Sequence, residues 1–353
     1  SSINKREDWD ILINEKFSLF PKSTRPYASF IYSIFAYDLF VISFNGFCLG
    51  ETPLRNFQAY FFNLSGKRTI LIPYGSDSYV YRRVRSPSLQ HVLTCSYPHY
   101  SKKQCEIRKN LDYWCKHADG VFTGVMGPDG FGRNDALLPS TLFLDLDMWK
   151  PKVNYNSYNG KNGVVHITHA PNHRGFKGTE FLIDSVDKLK TLGFQVELHL
   201  LEKIQNTEIR RILREETDIL VEQLIFTGHG LNGLEGMACG VPTISNLEDE
   251  DYILHLKRWS YLEECPIVSA SPESLVQTLI NLIQRPELRI ELGKAGRSYV
   301  EKYHGLDSGS YFFGNAIDFV YGRKNSLLDL YHPLKGEYPN RSPKILHPLS
   351  EKQ

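Results

Sequence analysis

The sequence predicts an α/β protein built from two doubly wound domains that face a central cleft. Three observations carry this. In the first half, short apolar runs at 38–44, 68–72 and 120–125 each empty into a loop rich in Gly, Pro or Asp. A run of turn formers without an aliphatic residue, 154–163, then interrupts the chain. After it the strand–helix alternation restarts more cleanly. Such runs are what parallel strands covered by crossover helices look like, and ligands in these sheets sit at the strands' carboxyl ends.

A length of 353 residues suits two domains, placed at 1–153 and 164–305 with 154–163 as linker and 306–353 as a terminal helix and tail. The 41 Lys+Arg balance 40 Asp+Glu, which argues against a nucleic-acid partner. With 41% hydrophobic and 12% aromatic residues the chain is not a disordered one. Cys48, Cys95, Cys105, Cys115, Cys239 and Cys265 are too sparse for a disulfide scaffold and read as reduced thiols. The expected location is the cytoplasm, with the inner face of a membrane as the alternative.

Taken in order, 26–50 is the most apolar stretch, but Asp38 and Asn45 interrupt it before the roughly 20 residues a span needs. It reads as a helix followed by a buried strand, and its aromatics leave a peripheral membrane contact open. Strands follow at 68–72 and 120–125. Beyond the linker, 164–167 is a strand and 178–192 a helix, with Leu182, Val186 and Leu189 on one face and Gly193 at its end. Val196, Leu198 and Leu200 alternate on the next strand. A short helix is expected over 234–239, a strand over 241–245 and a helix through Leu275, Leu279, Leu282 and Ile283, with Pro286 opening another. The aromatic-rich 311–321 is a final helix, packed either on the second domain or back on the first.

Two segments carry chemistry. In Val165-His-Ile-Thr-His-Ala-Pro-Asn-His-Arg-Gly-Phe-Lys-Gly-Thr-Glu180 a strand empties into a loop holding Arg174 and Lys177, beside an expected helix start at Gly178. Cations next to a helix N-terminus make an anion site; the alternative is an ordinary solvated loop. In Phe226-Thr-Gly-His-Gly-Leu-Asn-Gly-Leu-Glu-Gly-Met-Ala-Cys-Gly-Val-Pro242, glycines let backbone approach a ligand closely, and Glu235 is expected in the first helical turn. That carboxylate either grips sugar hydroxyls or simply complements the helix dipole.

Together these two segments resemble the GT-B glycosyltransferases of the "group 1" type, which transfer a sugar from a nucleotide donor. The resemblance is strong over about 160–300 and loose but ordered over 38–151, where Leu138-Pro-Ser-Thr-Leu-Phe-Leu-Asp-Leu-Asp-Met-Trp-Lys-Pro151 resembles the segment that ends the first domain. It implies a GT-B fold. It also implies that Arg174 and Lys177 neutralise the donor diphosphate, which is the leaving group. The backbone of Gly230, Leu231 and Asn232 would approach diphosphate or sugar, Glu235 would hold the ribose, and His169 and His173 would line the donor pocket. No metal and no cofactor are implied; the nucleotide sugar is a substrate, and a glycan or lipid-linked glycan is the acceptor.

One departure matters. Many members carry a Glu eight positions before the one matching Glu235, and here that position is Thr227. A polysaccharide-building subgroup has an acid–Gln pair just upstream, so Glu222 or Gln223 would take over. Retention of anomeric configuration is the expectation. The rival readings are a non-catalytic sugar-nucleotide-binding partner, kept open by Thr227, and a sugar-nucleotide epimerase, for which no proton-transfer groups stand out.

On the acceptor side, Asp77 either binds or deprotonates a hydroxyl, or closes an Asx turn. Arg82 and Arg83 either dock an anionic acceptor or lie on a solvated face. Gly127, Gly130, Gly132 and Arg133 form a similar cleft loop. His166, His169 and His173 tempt a metal reading, but positions 166 and 169 fall on opposite faces of a strand. Cys95, His99, Cys105, Cys115 and His117 lack the paired short spacing of structural zinc sites.

Overall fold

The computed structural model describes residues 9–124 and 131–350, so Gly127 and Gly130 lie outside the described residues. In the first domain, α1 (Ile13–Lys16), α2 (Arg25–Ala36) and β1 (Leu39–Ile42) are followed by α3 (Gln58–Leu64) and β2 (Arg68–Leu71). Then come α4 (Pro87–Ser96), α5 (Pro98–His117) and β3 (Gly120–Val121). The three strands are parallel in the order β1-β2-β3. Among the described residues the expected buried strand at 38–44 is therefore an edge strand, and it buries one face only: Phe40 is buried while Val41, on the other face, is 49% exposed. Helix starts follow local chemistry: Ser86 caps α4 by accepting from Leu89 N–H, and Pro87 fills the first turn, where its missing N–H costs nothing.

The second domain runs β4 (Val165–His169), α6 (Arg174–Lys177), α7 (Thr179–Thr191), β5 (Val196–Leu200), α8 (Asn206–Glu215) and β6 (Ile219–Thr227). It continues with α9 (Leu231–Ala238), β7 (Thr243–Asn246), α10 (Glu250–Trp259), β8 (Val268–Ser269), α11 (Leu275–Gln284) and α12 (Pro286–Tyr303). All five strands are parallel, in the order β5-β4-β6-β7-β8. The chain goes one way from β4 to β5 and the other way to β6, so the switch point lies between β4 and β6. Leu182, Val186 and Leu189 of α7 are buried against the strand residues Val165, Ile167 and Ile219. Truncating any one of these leucines to Ala would cost about 2–5 kcal/mol.

β6 is the central strand, and sequence periodicity did not single it out. Its apolar run is interrupted by Glu222 and Gln223, and its pairing with β7 shifts register on both sides of Gln223. Those irregularities turn polar side chains toward the cleft from inside a buried strand. α9 also starts three residues before the expected 234, which puts Glu235 in its second turn rather than its first.

The last helix, α13 (Leu306–Val320), packs on the first sheet. Phe312 meets Phe122 edge to face at 5.3 Å, and Tyr321 OH donates to Asp38 O at 3.2 Å. The tail that follows returns to the second domain, where buried Lys302 donates to Glu264 and to the carbonyls of Pro339 and Pro343. One apolar cluster is continuous across both domains, from Ile70 and Leu93 through Phe176 and Phe226 to Tyr299 and Phe312.

Candidate active site

A cavity of about 720 Å³ lies between the domains at the carboxyl ends of β2, β4 and β6. Its first-domain wall includes Tyr74, Tyr97, Tyr100 and Thr141; its second-domain wall includes His173, Lys177, Gln223 and His229. Tyr97 bridges the two, with its ring 4.5 Å from His173 and 6.1 Å from Phe176.

The floor holds a buried carboxylate, that of Glu222. Lys177 Nζ donates to Glu222 Oε1 at 2.6 Å and to Gln223 Oε1 at 2.8 Å. Gly230 N–H, at the start of α9, donates to both oxygens of the same carboxylate at 3.2 and 3.1 Å. Ser245 Oγ stands 3.2 Å from Oε2. Gln223 is held in this orientation because its Nε2 donates to Gly228 O at 3.0 Å. A side chain at position 230 would collide here, since a Cβ would meet Glu222 Oε1 at 2.9 Å and Lys177 Nζ at 3.6 Å. The ammonium and the helix N–H thus converge on one point, and a carboxylate of the protein stands there. The partner helix is α9 and not, as expected from spacing, the one beginning at Gly178. Arg174 and Lys177 form the separate turn α6, and Gly178, at φ +76°, breaks it from α7.

The other expected donor-side residues fall in three groups. His173, Gly230 and Leu231 line the cavity with Lys177. Asn232 and Glu235 do not: Glu235 is buried and accepts from Asn206 Nδ2 at 3.1 Å and Asn232 Nδ2 at 3.2 Å. Burial raises its carboxyl pKa against the lowering effect of those two amides. Arg174 is turned away from the cavity onto Glu180 at 2.7 Å and Glu202 at 3.0 Å.

His169 corrects an expectation. It is fully buried and outside the cavity, with Nδ1 2.7 Å from Val221 O and Nε2 2.9 Å from Thr179 Oγ1. Both nitrogens are spent tying β4 to β6 and α7, and burial pushes the ring down to about 4, so it is neutral.

None of the four acceptor-side candidates, Asp77, Arg133, Arg82 and Arg83, lines the cavity. Asp77 is buried, and its carboxylate accepts from the backbone N–H of Phe44, Tyr74 and Gly75 at 3.0, 2.9 and 2.8 Å. It closes the turn rather than offering a base, although it positions Tyr74 and Gly75 on the cavity wall. Arg133 donates to the carbonyls of Cys115, Ala118 and Asp119, capping the end of α5. Arg83 pairs with Asp112 of α5, Arg82 is exposed, and neither lines the cavity.

His229 is the residue that spacing missed. It lines the cavity, is almost fully buried, and neither ring nitrogen has a hydrogen-bond partner. Burial pushes it down to about 4, so the ring is neutral and offers one donor and one acceptor. Its one sequence signal is its place between Gly228 and Gly230.

A sucrose-phosphate synthase from Thermosynechococcus elongatus has a similar structure, with a TM-score of 0.51 and 14% identity over 86% of this chain and 81% of that one. Anabaena HepE in complex with UDP-glucose is similar too, with a TM-score of 0.52 and 11% identity over 86% of this chain and 83% of that one. No protein-family profile and no curated protein matches the sequence. At these identities the likeness is one of architecture, and it is the architecture that the two sheets, the cleft and the returning helix α13 describe. The chain has the GT-B fold, with two Rossmann-like domains facing a central cleft.

Proposed function

We propose that the protein transfers a sugar from a nucleotide-sugar donor to a glycan or lipid-linked glycan acceptor, with retention and without a metal ion. The observation that carries this reading is the convergence of Lys177 Nζ and Gly230 N–H on one buried point in the cleft floor. A donor diphosphate placed there receives a cation and a helix N-terminus, fixed before the reaction begins. Charge develops on the phosphate oxygens as the glycosidic bond breaks, so these groups stabilise the transition state more than the ground state. For that to happen the Glu222 carboxylate must leave the point it holds, and the sugar side of the site is where it would go.

In this reading Lys177 and Gly230 bind the diphosphate, and Arg174 swings in from its surface carboxylates to join them. Glu235 takes the ribose through the Asn206–Asn232 network. His229, with one donor and one acceptor free, reads sugar hydroxyls. The acceptor lies against Tyr74, Tyr97 and Tyr100 of the first domain, whose rings suit the apolar faces of sugars. Among the described residues no helix is long and apolar enough to cross a membrane. The exposed Ile31 and Phe35 of α2 and Tyr60 and Leu64 of α3 favour a lipid-linked acceptor met at the inner face of a membrane.

The test is thermal unfolding against UDP, GDP, ADP, CMP and dTDP, followed by the matching nucleotide sugars, with UDP-glucose first. One nucleotide at about 100 times its Kd would stabilise by about 2.7 kcal/mol, a shift of a few degrees. Release of that nucleotide from its sugar conjugate, faster with added glycan, would establish the transfer. Silence from every nucleotide and every nucleotide sugar would overturn the reading.

A further inference from the structure

We propose that His166, Glu197 and His199 form a binding site for one divalent transition-metal ion of the zinc class, on the second domain and outside the cleft. The register of the sheet brings them together. His166 of β4 pairs directly with Glu197 of β5, and His199 lies two residues on from Glu197, on the same face. Glu197 Oε2 stands 3.8 Å from His166 Nδ1, and Oε1 stands 4.0 Å from His199 Nε2. The two imidazole rings are 4.9 Å apart at their centroids, and one ligand atom from each residue falls within 4.8 Å of the others. Tetrahedral coordination at about 2.0–2.2 Å per bond needs ligand atoms roughly 3.3 Å apart, which small χ rotations of these side chains supply.

The ligand atoms are available. His166 Nδ1 is buried without a hydrogen-bond partner, an arrangement that native structures seldom leave unexplained. Its backbone is held in place, because His166 N–H donates to Asp218 Oδ2 at 2.9 Å. The open side of the triad faces a groove of about 520 Å³, with room for water as a fourth ligand. Glu215, Glu216 and Asp218 line that groove, and its one lysine, Lys152, is turned onto Thr217 O. Two imidazoles and a carboxylate favour zinc and its late transition-metal neighbours over magnesium or calcium, which prefer all-oxygen sites. His169 takes no part, since it points to the opposite face of β4. The partners of His166 come instead from the neighbouring strand. Bound there, the ion would staple the edge strand β5 to β4. The groove shares no lining residue with the cleft cavity, so this site stands or falls separately from the transfer reading.

The experiment uses untagged, EDTA-treated protein titrated with Zn²⁺ by calorimetry, with thermal unfolding in parallel. One Zn²⁺ per chain at micromolar Kd or tighter is expected, with the midpoint raised by several degrees and no response to Mg²⁺ at the same concentration. Glu197→Gln and His199→Gln should each weaken binding at least tenfold while leaving the midpoint in EDTA unchanged. Co²⁺ added to the unaltered protein should give the visible absorption of a four-coordinate N/O site, a readout that needs no variant. His91→Ala should bind as the parent does, since His91 and Cys95, with Nε2 3.6 Å from Sγ, are the competing surface pair. Absence of stoichiometric Zn²⁺ binding, or binding that survives the Glu197→Gln/His199→Gln double variant, would overturn the proposal.

Discussion

Lys177 Nζ and Glu222 Oε1 stand 2.6 Å apart in the floor of the cleft, and Gly230 N–H reaches the same carboxylate at 3.2 and 3.1 Å. The lysine and the helix N-terminus thus meet on a carboxylate of the protein itself. The arrangement explains how a lysine can be held almost fully buried in the cleft floor, and why the glycine at 230 has no room for a side chain. It also ties stability to binding, because any anion that enters must compete with Glu222.

Breaking the pair from one side should therefore be costly. Lys177→Met leaves the Glu222 carboxylate buried with only Gly230 N–H and the Ser245 hydroxyl beside it. A loss of about 3–5 kcal/mol is expected in urea unfolding. The double variant Lys177→Met/Glu222→Gln removes both charges and should recover most of that loss. A double variant as unstable as the single one would mean that the charge pair is not what the site is balancing.

Removing the competing charge alone should help a nucleotide bind. Glu222→Gln keeps an oxygen for Lys177 and Gly230 N–H but gives up the negative charge. A nucleoside diphosphate should then bind about tenfold more tightly, about 1.4 kcal/mol, by calorimetry. Sugar transfer should fall, because the carboxylate is lost from the sugar side. Weaker nucleotide binding in this variant would show that Glu222 is not a competitor for the phosphate position.

How much of this was legible in the sequence depends on the kind of signal. Strands β2 and β4 and helices α7 and α11 follow from apolar periodicity and from Gly or Pro punctuation, and they came through. β6 did not, because Glu222 and Gln223 break its apolar run, and a buried polar pair on a central strand looks like loop until its partners are known. The same holds for the site. Lys177 was visible from its motif, but Asp77, His169 and Arg133 are polar residues held by partners that include backbone groups 14 to 52 positions away: Phe44 N–H, Val221 O and the carbonyls of Cys115, Ala118 and Asp119. Spacing cannot tell a carboxylate that waits for substrate from one that closes a turn. His166 is the converse case, since its partners Glu197 and His199 lie one strand away, where only the pairing register could bring them together.

Arg174 separates two roles that its motif merges. Its guanidinium pairs with Glu180 and Glu202 at the surface, and exposed pairs of this sort add little to stability. Arg174→Ala should leave the urea midpoint where it was. If the side chain swings to the donor, nucleotide affinity should drop about tenfold, with the drop shrinking at high salt. Unchanged affinity at low salt would confine Arg174 to its surface carboxylates.

Two buried histidines, His229 on the cavity wall and His304 behind it, predict a pH dependence. His304 is fully buried against His229, Tyr261, Tyr299 and Phe143, with Nδ1 2.9 Å from Leu142 O. Burial first, and His229 second, push His304 down to about 3, while burial alone pushes His229 to about 4. In the unfolded chain both rings take up a proton near the ordinary value of about 6.5. Folding therefore holds them neutral where the unfolded chain would charge them. The stability this contributes is whole above about pH 6.5 and is lost as pH falls through the lower folded values. One such ring gives up about 1.4 kcal/mol per pH unit, or about 2 kcal/mol by pH 5. His304→Asn keeps a donor toward Leu142 O but has no group to titrate. Between pH 7.5 and pH 5 it should lose about 2 kcal/mol less stability than the parent in urea unfolding. Equal losses would mean that the His304 ring carries its proton in the folded protein, and that water or an anion reaches the back wall of the cleft.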